Sequence, residues 1–186
     1  MKLIITRHAQ TYGNVERKMN GPNDQVTPLG IRQAKLLAER LKKEKIDAIY
    51  ASPFDRTKLT AGIISEYHPD APINYERDLR ERDIYNYVGQ GYDKVDWSNI
   101  PDDMESDQSM YRRSGAVFKK VYSKHKDDTV LFVAHHALNK CLIRFLKGLP
   151  ADDKTKIKQE NTNVTIFEIT DKGRKKVLMN CIKHLL

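Results

Sequence analysis

Apolar and polar residues divide the chain into two kinds of segment. The first kind is short and either continuously apolar or alternating, a pattern typical of β-strands. These segments are Lys2–Thr6, Asp47–Ala51, Pro72–Tyr75, Thr129–Ala134, Asn163–Ile169 and Lys175–Ile182. The second kind is longer, has apolar residues at helical spacing, and predicts amphipathic helices. These helices begin at Thr27-Pro28, run from Ser52-Pro53 to about Glu66, from about Ser109 to Lys124, and from His136 to Lys147.

Two of the predicted helices begin with the same signal. A hydroxyl residue stands directly before a proline in both Thr27-Pro28 and Ser52-Pro53. Serine and threonine are favoured N-caps, and proline is favoured at the first helical position because it has no N–H to satisfy. We therefore expect these two hydroxyl residues to cap their helices.

The alternation of strands and helices predicts an α/β fold. We expect a three-layer α/β/α sandwich around a mostly parallel mixed sheet, with an antiparallel edge formed by the last two strands. The continuously apolar Thr129–Ala134 is typical of a strand that is covered on both faces. A chain of 186 residues fits a single domain, residues 1–186, and the irregular aromatic stretch 85–108 is a candidate lid insertion.

The charge balance leaves two classes of partner open. Lysine and arginine number 33 against 25 acidic residues, which gives a formal charge of +8. Such an excess suits either nucleic acid or small phosphorylated molecules. Because the charge is spread along the chain and no nucleic-acid-binding motif accompanies it, we expect a small phosphorylated substrate and no nucleic acid. The stretch 85–110 is acidic, with one lysine against six acidic residues, and we expect it to disfavour bisphosphates.

Cysteine content and hydropathy bear on location. Only Cys141 and Cys181 are present, so there is no disulfide framework, and a reducing cytoplasm fits. The mean hydropathy is −0.67 and no long apolar run occurs, so we expect no membrane segment. Charged residues follow the first methionine too early for a signal peptide. We expect a cytoplasmic protein; the sequence leaves the oligomeric state open, a homodimer included.

Three predicted strands end in groups suited to phosphate chemistry. They are Arg7-His8 after the first strand, Ser52 with Arg56 after the second, and His135-His136 after Thr129–Ala134. Ligands bind at the carboxyl ends of strands in open α/β sheets, so these groups can converge. Arginine offers a planar fork to phosphate oxygens, and histidine is a nucleophile near neutral pH. Taken alone, Arg7-His8 would better fit a surface pair and Arg56 a solvated helix position.

Longer motifs follow one another along nearly the whole chain. They are Thr6–Asn14, Arg17, Gly21, Asp24, Thr27–Gly30, Gln33-Ala34, Ser52–Ala61, Leu79–Glu81, Gly89, Glu105-Ser106, Arg113, Val133–His136 and Asn161–Val164. In this order they resemble the histidine phosphatase superfamily, the phosphoglycerate mutase-like proteins. The sequence departs from the family pattern at Ala9 and His136, where the family has glycine.

The resemblance implies a role for each matched position. His8 would be the nucleophile and form a phosphohistidine, while Glu81 would give a proton to the leaving oxygen. The implied phosphate pocket consists of Arg7, Arg56 and His135. The further substrate contacts that we expect are Asn14, Gln10 and His136. The adjacent pair His135-His136 could suggest a metal site, but neither an HExxH motif nor a carboxylate cluster accompanies it, so we expect no metal and no cofactor.

These residues predict a metal-independent phosphomonoester phosphatase that acts through a phosphohistidine on a small phosphorylated metabolite. Two alternatives remain. A phosphoglycerate mutase would return the phosphoryl group to its substrate, although larger mutases carry insertions for which 186 residues leave little room. A non-catalytic phosphate-binding or scaffold protein would keep the fold without turnover, which the intact set of implied catalytic residues disfavours. The sequence does not name the ester.

Overall fold

A computed structural model describes residues 1–186 and contains one six-stranded mixed sheet. Its strands are β1 Lys2–Arg7, β2 Ala48–Ala51, β3 Ile73–Tyr75, β4 Thr129–Ala134, β5 Val164–Thr170 and β6 Gly173–Cys181. They lie in the order β3-β2-β4-β1-β5-β6. The first four pair in parallel, whereas β5 runs antiparallel to β1 and β6 antiparallel to β5. The predicted mostly parallel sheet with an antiparallel edge is confirmed.

Helices cover both faces of this sheet. They are α1 Tyr12–Val15, α2 Pro28–Leu41, α3 Asp55–Ser65, α4 Asp107–Lys124 and α5 His136–Leu146. Successive residues of a strand point to opposite faces. Leu3 and Ile5 of β1 accordingly pack with residues of α4 and α5, whereas Ile4 packs with residues of α2 and α3. The three-layer prediction is confirmed, and none of the helices combines the length and apolarity needed to cross a membrane.

The two capping predictions have different outcomes. Thr27 caps α2, and its hydroxyl accepts a hydrogen bond from the Gly30 N–H at 2.9 Å. The prediction for Ser52 is wrong, because α3 begins at Asp55 after Phe54. The Ser52 hydroxyl is instead bound to the ring of His135, 83 positions later, at 2.8 Å. The Ser52 hydroxyl also accepts a hydrogen bond from the Phe54 N–H at 3.4 Å.

The candidate lid, residues 85–108, lies over the carboxyl ends of the parallel strands. It contains two short 3₁₀ turns and is held to the loop after α1 by backbone hydrogen bonds. Met19 N–H donates to Gln90 O and Gly89 N–H donates to Met19 O, both at 2.8 Å. A small separate apolar cluster forms there around Met19, Val95 and Met104. The segment therefore has its own packing and forms a wall at this end of the sheet.

Candidate active site

A cavity of about 580 Å³ opens at the carboxyl ends of β1, β2 and β4. This is the edge at which the predicted functional side chains were expected to converge. Of the eight predicted site residues, seven line the cavity, and the eighth, His135, lies behind its wall. The seven are Arg7, His8, Gln10, Asn14, Arg56, Glu81 and His136.

His8 follows β1 and is 3% exposed. Its Nδ1 lies 2.7 Å from the carbonyl oxygen of Ala9. Since a carbonyl only accepts, Nδ1 carries the proton, and Nε2 is the free nitrogen with a lone pair. Burial, together with the positive charges of Arg56 and Arg7, holds the pKa of His8 well below its ordinary value. His8 is therefore an uncharged imidazole with a nucleophilic nitrogen.

Arg7 and Arg56 are held by backbone carbonyls. Arg7 Nη1 donates to Gln159 O at 3.0 Å, and Arg56 Nη1 donates to Gly21 O at 2.5 Å. Burial lowers the pKa of both guanidinium groups, that of Arg56 to about 10. No carboxylate of the chain forms an ion pair with either of them. Their positive charge is therefore left for an anion that enters the cavity.

His135 follows β4 and lies directly behind the cavity wall. It is completely buried, and both ring nitrogens are engaged. Nδ1 accepts from Arg56 Nη2 at 3.3 Å, and Nε2 donates to the Ser52 hydroxyl at 2.8 Å. Its ring centroid lies 5.3 Å from that of His8. The direct phosphate contact that we expect of His135 stays a prediction; in this structure its ring is bound to Arg56 and Ser52.

Glu81 lies at the N-terminus of α5. Its Oε1 accepts from the backbone N–H groups of Arg82 and Leu138, each at 3.1 Å. Its Oε2 accepts from the N–H of Ala137 at 3.2 Å. A carboxylate is stabilised at a helix N-terminus by these donors and by the helix dipole. Although Glu81 comes from a loop, its position is therefore fixed relative to α5 and the cavity.

Amide side chains organise the loop after β1. The capping box at the start of α1 places Asn14 at the cavity, and Gln10 is held through its Oε1 by the Thr27 hydroxyl at 2.9 Å. Asn161 also lines the cavity, a role that the sequence analysis did not assign. Its Nδ2 donates to His8 O at 2.8 Å and to Asn14 Oδ1 at 3.2 Å. Its place in the motif Asn161–Val164 was the signal that pointed to it.

His136 is the first residue of α5 and adds an imidazole to the cavity wall. Its Nδ1 donates to Gln159 O at 3.3 Å, the same carbonyl that holds Arg7. Burial, and next the charge of Arg7, lower the pKa of His136. The His136 side chain, in place of the family's glycine, therefore lies beside Arg7 in the cavity wall.

Sequence reasoning also missed the rest of this helix face. Lys140 and Arg144 follow His136 at intervals of four residues and line the same cavity. That spacing places side chains on one face of a helix and was the signal available. Nowhere in the chain do three or more His, Cys, Asp or Glu side chains cluster so that they could hold a metal ion.

The chain is similar in sequence and in structure to proteins that are known. The chain is 31% identical to phosphoglycerate mutase-like protein 4 of Arabidopsis thaliana, over 91% of this chain and 80% of the relative. It is 27% identical to phosphoserine phosphatase 1 of Hydrogenobacter thermophilus, over 100% of this chain and 94% of the relative. The structure of Bacillus stearothermophilus YhfR superimposes with a TM-score of 0.91 at 26% identity, covering 100% of this chain and 99% of the other.

A sequence profile of one protein family also matches most of the chain. The profile described as histidine phosphatase superfamily (branch 1) matches residues 3–182. This range includes every residue described above for the cavity. The chain therefore belongs to the histidine phosphatase superfamily (branch 1).

Proposed function

We propose that the protein hydrolyses phosphomonoesters through a phosphohistidine at His8, without a metal ion. The observation that carries this proposal is the orientation of His8: Nδ1 is bound to Ala9 O, which leaves Nε2 free at a cavity that Arg7 and Arg56 also line. A neutral, oriented imidazole beside two cations without carboxylate partners suits attack on a phosphoryl group.

In the first step, His8 Nε2 forms a bond to phosphorus while the bond from phosphorus to the ester oxygen breaks. Arg7 and Arg56 stabilise the negative charge on the three equatorial oxygens. His135 acts through Arg56, because its hydrogen bond from Arg56 Nη2 fixes the direction of the guanidinium. In the second step, water attacks the phosphorus, the bond to His8 breaks, and inorganic phosphate leaves.

Glu81 handles the proton in both steps. An alkoxide leaves poorly unless it is protonated, so the first step needs an acid and the second a base that activates water. Oε1 of Glu81 accepts two N–H donors, whereas Oε2 accepts only that of Ala137. Because a carboxyl oxygen has two lone pairs, Oε2 keeps a site for the transferable proton.

Phosphoenzyme formation tests the nucleophile. His8→Ala should abolish hydrolysis of p-nitrophenyl phosphate in the presence of EDTA and remove the acid-labile phosphoenzyme trapped during turnover. His184→Ala is the matched control, because His184 lies in the C-terminal turn against α2, outside the cavity. Turnover that survives His8→Ala, or activity that EDTA removes from the wild type, would refute the proposal.

The choice of leaving group tests Glu81. p-Nitrophenolate leaves without protonation, whereas the alkoxide of phosphoserine does not. Glu81→Gln should therefore reduce kcat/KM, which reports the first step, by about 100-fold or more for phosphoserine and much less for p-nitrophenyl phosphate. Equal losses on both esters would show that Glu81 only supports the structure.

Products distinguish hydrolysis from the mutase alternative. With 3-phosphoglycerate as substrate, we expect free phosphate, whereas a mutase would produce the isomeric phosphoglycerate.

We also propose that the candidate lid, residues 85–108, selects the ester, because Tyr92, Trp97 and Ile100 line the cavity. A cytoplasmic location is part of the proposal and is supported by the two unpaired cysteines, Cys141 and Cys181.

A further inference from the structure

The two arginines at the cavity are anchored to different degrees. Arg56 donates two hydrogen bonds within the chain, to Gly21 O at 2.5 Å and to His135 Nδ1 at 3.3 Å. The guanidinium of Arg7 donates only one, from Nη1 to Gln159 O at 3.0 Å, and its Nε is buried without a hydrogen-bond partner. The direction of the Arg7 guanidinium therefore depends on where this one carbonyl lies.

The position of the Gln159 carbonyl is not set by a helix or a strand. Residues 153–160 belong to neither, although Gln159 is only 2% exposed. Its side chain is instead bound by two amides, because Oε1 accepts from Asn139 Nδ2 at 3.1 Å and from Asn163 Nδ2 at 3.3 Å. Buried polar networks of this kind make the segment that contains them rigid. The side chain of Gln159 therefore holds its own main-chain carbonyl in place.

Asn139 is an unusual residue for its place in α5. It is completely buried, as are its apolar helix neighbours Leu138 and Leu142. Asparagine is a poorer helix former than leucine, and the Asn139 Oδ1 has no hydrogen-bond partner, which costs free energy in a buried position. Leucine, whose side chain has the same number of heavy atoms and the same branch point, would avoid both costs. The stability of the helix therefore does not explain the carboxamide.

The Asn139 carboxamide connects the two ends of the Arg7 side chain. Its Nδ2 donates to Thr6 O, one residue before Arg7 in β1, at 3.1 Å. The same Nδ2 donates to Oε1 of Gln159, the residue whose carbonyl binds the guanidinium. It thus fixes both the backbone from which the arginine side chain starts and the residue at which it ends. Asn139 itself does not line the cavity.

We propose that Asn139 is a positioning residue, which acts through Gln159 to direct the guanidinium of Arg7 at the phosphoryl group. The inference rests on the function proposed above and adds a residue that lies outside every motif of the sequence. An arginine that stabilises a transferring phosphoryl group must be placed accurately, because a misplacement of about 1 Å can cost about 100-fold in rate. His136 Nδ1 donates to the same Gln159 carbonyl at 3.3 Å, so its ring is placed together with Arg7.

Asn139→Leu tests this role, because it removes the donor and keeps the number of side-chain heavy atoms. We expect kcat for p-nitrophenyl phosphate to fall about 10-fold or more, with a smaller change in KM, because Arg7 is misdirected in the transition state. The urea midpoint should stay close to that of the wild type, since the unpaired Oδ1 is removed and Gln159 Oε1 keeps its bond from Asn163. Gln159→Met, which removes both side-chain contacts, should lower kcat further.

Two comparisons separate positioning from a loss of structure. Asn74→Leu is the matched control, because the Asn74 amide also binds backbone carbonyls, those of Ile49 and Pro72, but lies on the edge strand β3 outside the cavity. It should leave kcat and KM unchanged. The second comparison uses orthovanadate, which adopts the five-coordinate geometry of a transferring phosphoryl group. Asn139→Leu should weaken its affinity about 10-fold in the wild type and less than about 2-fold in Arg7→Met.

Several results would overturn this role of Asn139. They are an unchanged kcat in Asn139→Leu, an equal loss in Asn74→Leu, and an equal loss of orthovanadate affinity with and without Arg7. A loss of activity that only parallels a loss of folded protein in urea would also overturn it. Failure of the proposed function is seen separately. If the wild type hydrolyses no phosphomonoester, the orthovanadate affinities, measured by calorimetry, still decide whether Asn139 directs Arg7.

Discussion

Removing Arg113 should destabilise the protein strongly and in a pH-dependent way. Arg113 lies on α4 and joins this helix to the segment that contains Glu81, the proposed acid. It donates to both carboxylate oxygens of Glu105, at 2.8 and 2.7 Å. It also donates to the backbone carbonyls of Asp78, Arg80 and Glu81, at 2.7, 2.8 and 3.1 Å. Arg113→Met would keep much of the side-chain volume and remove all five hydrogen bonds.

The size of the effect follows from burial. The side chains of Arg113 and Glu105 are only 12% and 11% exposed, so the carboxylate would be left buried without its cation. Breaking such a pair costs about 3–5 kcal/mol, a large part of a domain's total stability of about 5–15 kcal/mol. The backbone carbonyls that Arg113 binds add to this cost where water cannot replace it.

The pH dependence has a definite sign. Burial acts to raise the pKa of Glu105, but hydrogen bonds and charge from Arg113 outweigh it and hold that pKa below its ordinary value. In the wild type, this stabilisation is therefore present above the unfolded pKa of about 4.3 and is lost as the pH falls. Without Arg113, burial dominates, and protonation of Glu105 relieves the penalty. The difference in stability between the two proteins should be largest at pH 7 and shrink towards about pH 4.

Urea denaturation of four proteins measures these quantities. They are the wild type, Arg113→Met, Glu105→Gln and the double variant, each at neutral pH and at about pH 4. The double variant should lose less stability than the two single changes added together. Lys120→Met, which removes an exposed ion pair with Glu76, should change stability little. The reasoning is refuted if Arg113→Met lies within about 1 kcal/mol of the wild type at pH 7, or if its deficit grows at low pH.

Three further outcomes follow from burial and packing. Burial and nearby arginines depress the pKa of His8, so kcat/KM should not fall through protonation of His8 as the pH is lowered past 6.5. A pH–rate profile in which kcat/KM falls with a midpoint at or above pH 6.5 would contradict this. Burial raises the pKa of Cys141 to about 11, so in the folded protein an aromatic disulfide reagent should modify the other cysteine and leave Cys141 unmodified until urea is added. Gly30→Ala would bring a Cβ to 2.2 Å from the backbone oxygen of Gln10 and should cost about 1–3 kcal/mol in denaturant unfolding, whereas Gly62→Ala, with open space, should cost nothing.

The sheet was predictable from sequence because its strands are short and distinctly apolar. Both ends of the strand Thr129–Ala134 were predicted correctly, because a strand that is buried on both faces is a continuous apolar run whose limits are visible in the sequence. Helix starts were less predictable. The Ser52 hydroxyl is bound by a side chain from another strand end, and Ser106 rather than a later residue caps α4. Capping rules describe local competition for a hydroxyl, and a tertiary partner can win it.

The site residues likewise differ in how far the sequence predicts them. His8 and Glu81 could be named from their motifs, and both line the cavity. His135 could be named too, but its hydrogen bond with Arg56 depends on which side of the guanidinium its ring occupies. Lys140 had no motif, only its helical spacing from His136. Sequence order thus identifies which strand ends converge, while the division between contact and support is decided by packing between distant segments.

The arginines show why that division matters for function. Arg113 and Arg82 form ion pairs with Glu105 and Asp107, and these pairs stabilise the fold. Arg56 is buried and Arg7 is half-buried, and both are held by carbonyl oxygens, which orient a guanidinium without cancelling its charge. Burial without a counter-ion costs free energy, and a bound phosphoryl group returns part of it by supplying the missing negative charge. Local sequence does not distinguish the two kinds of arginine, because the partner of Arg113 lies 8 positions away and those of Arg82, Arg56 and Arg7 lie 25, 35 and 152 positions away.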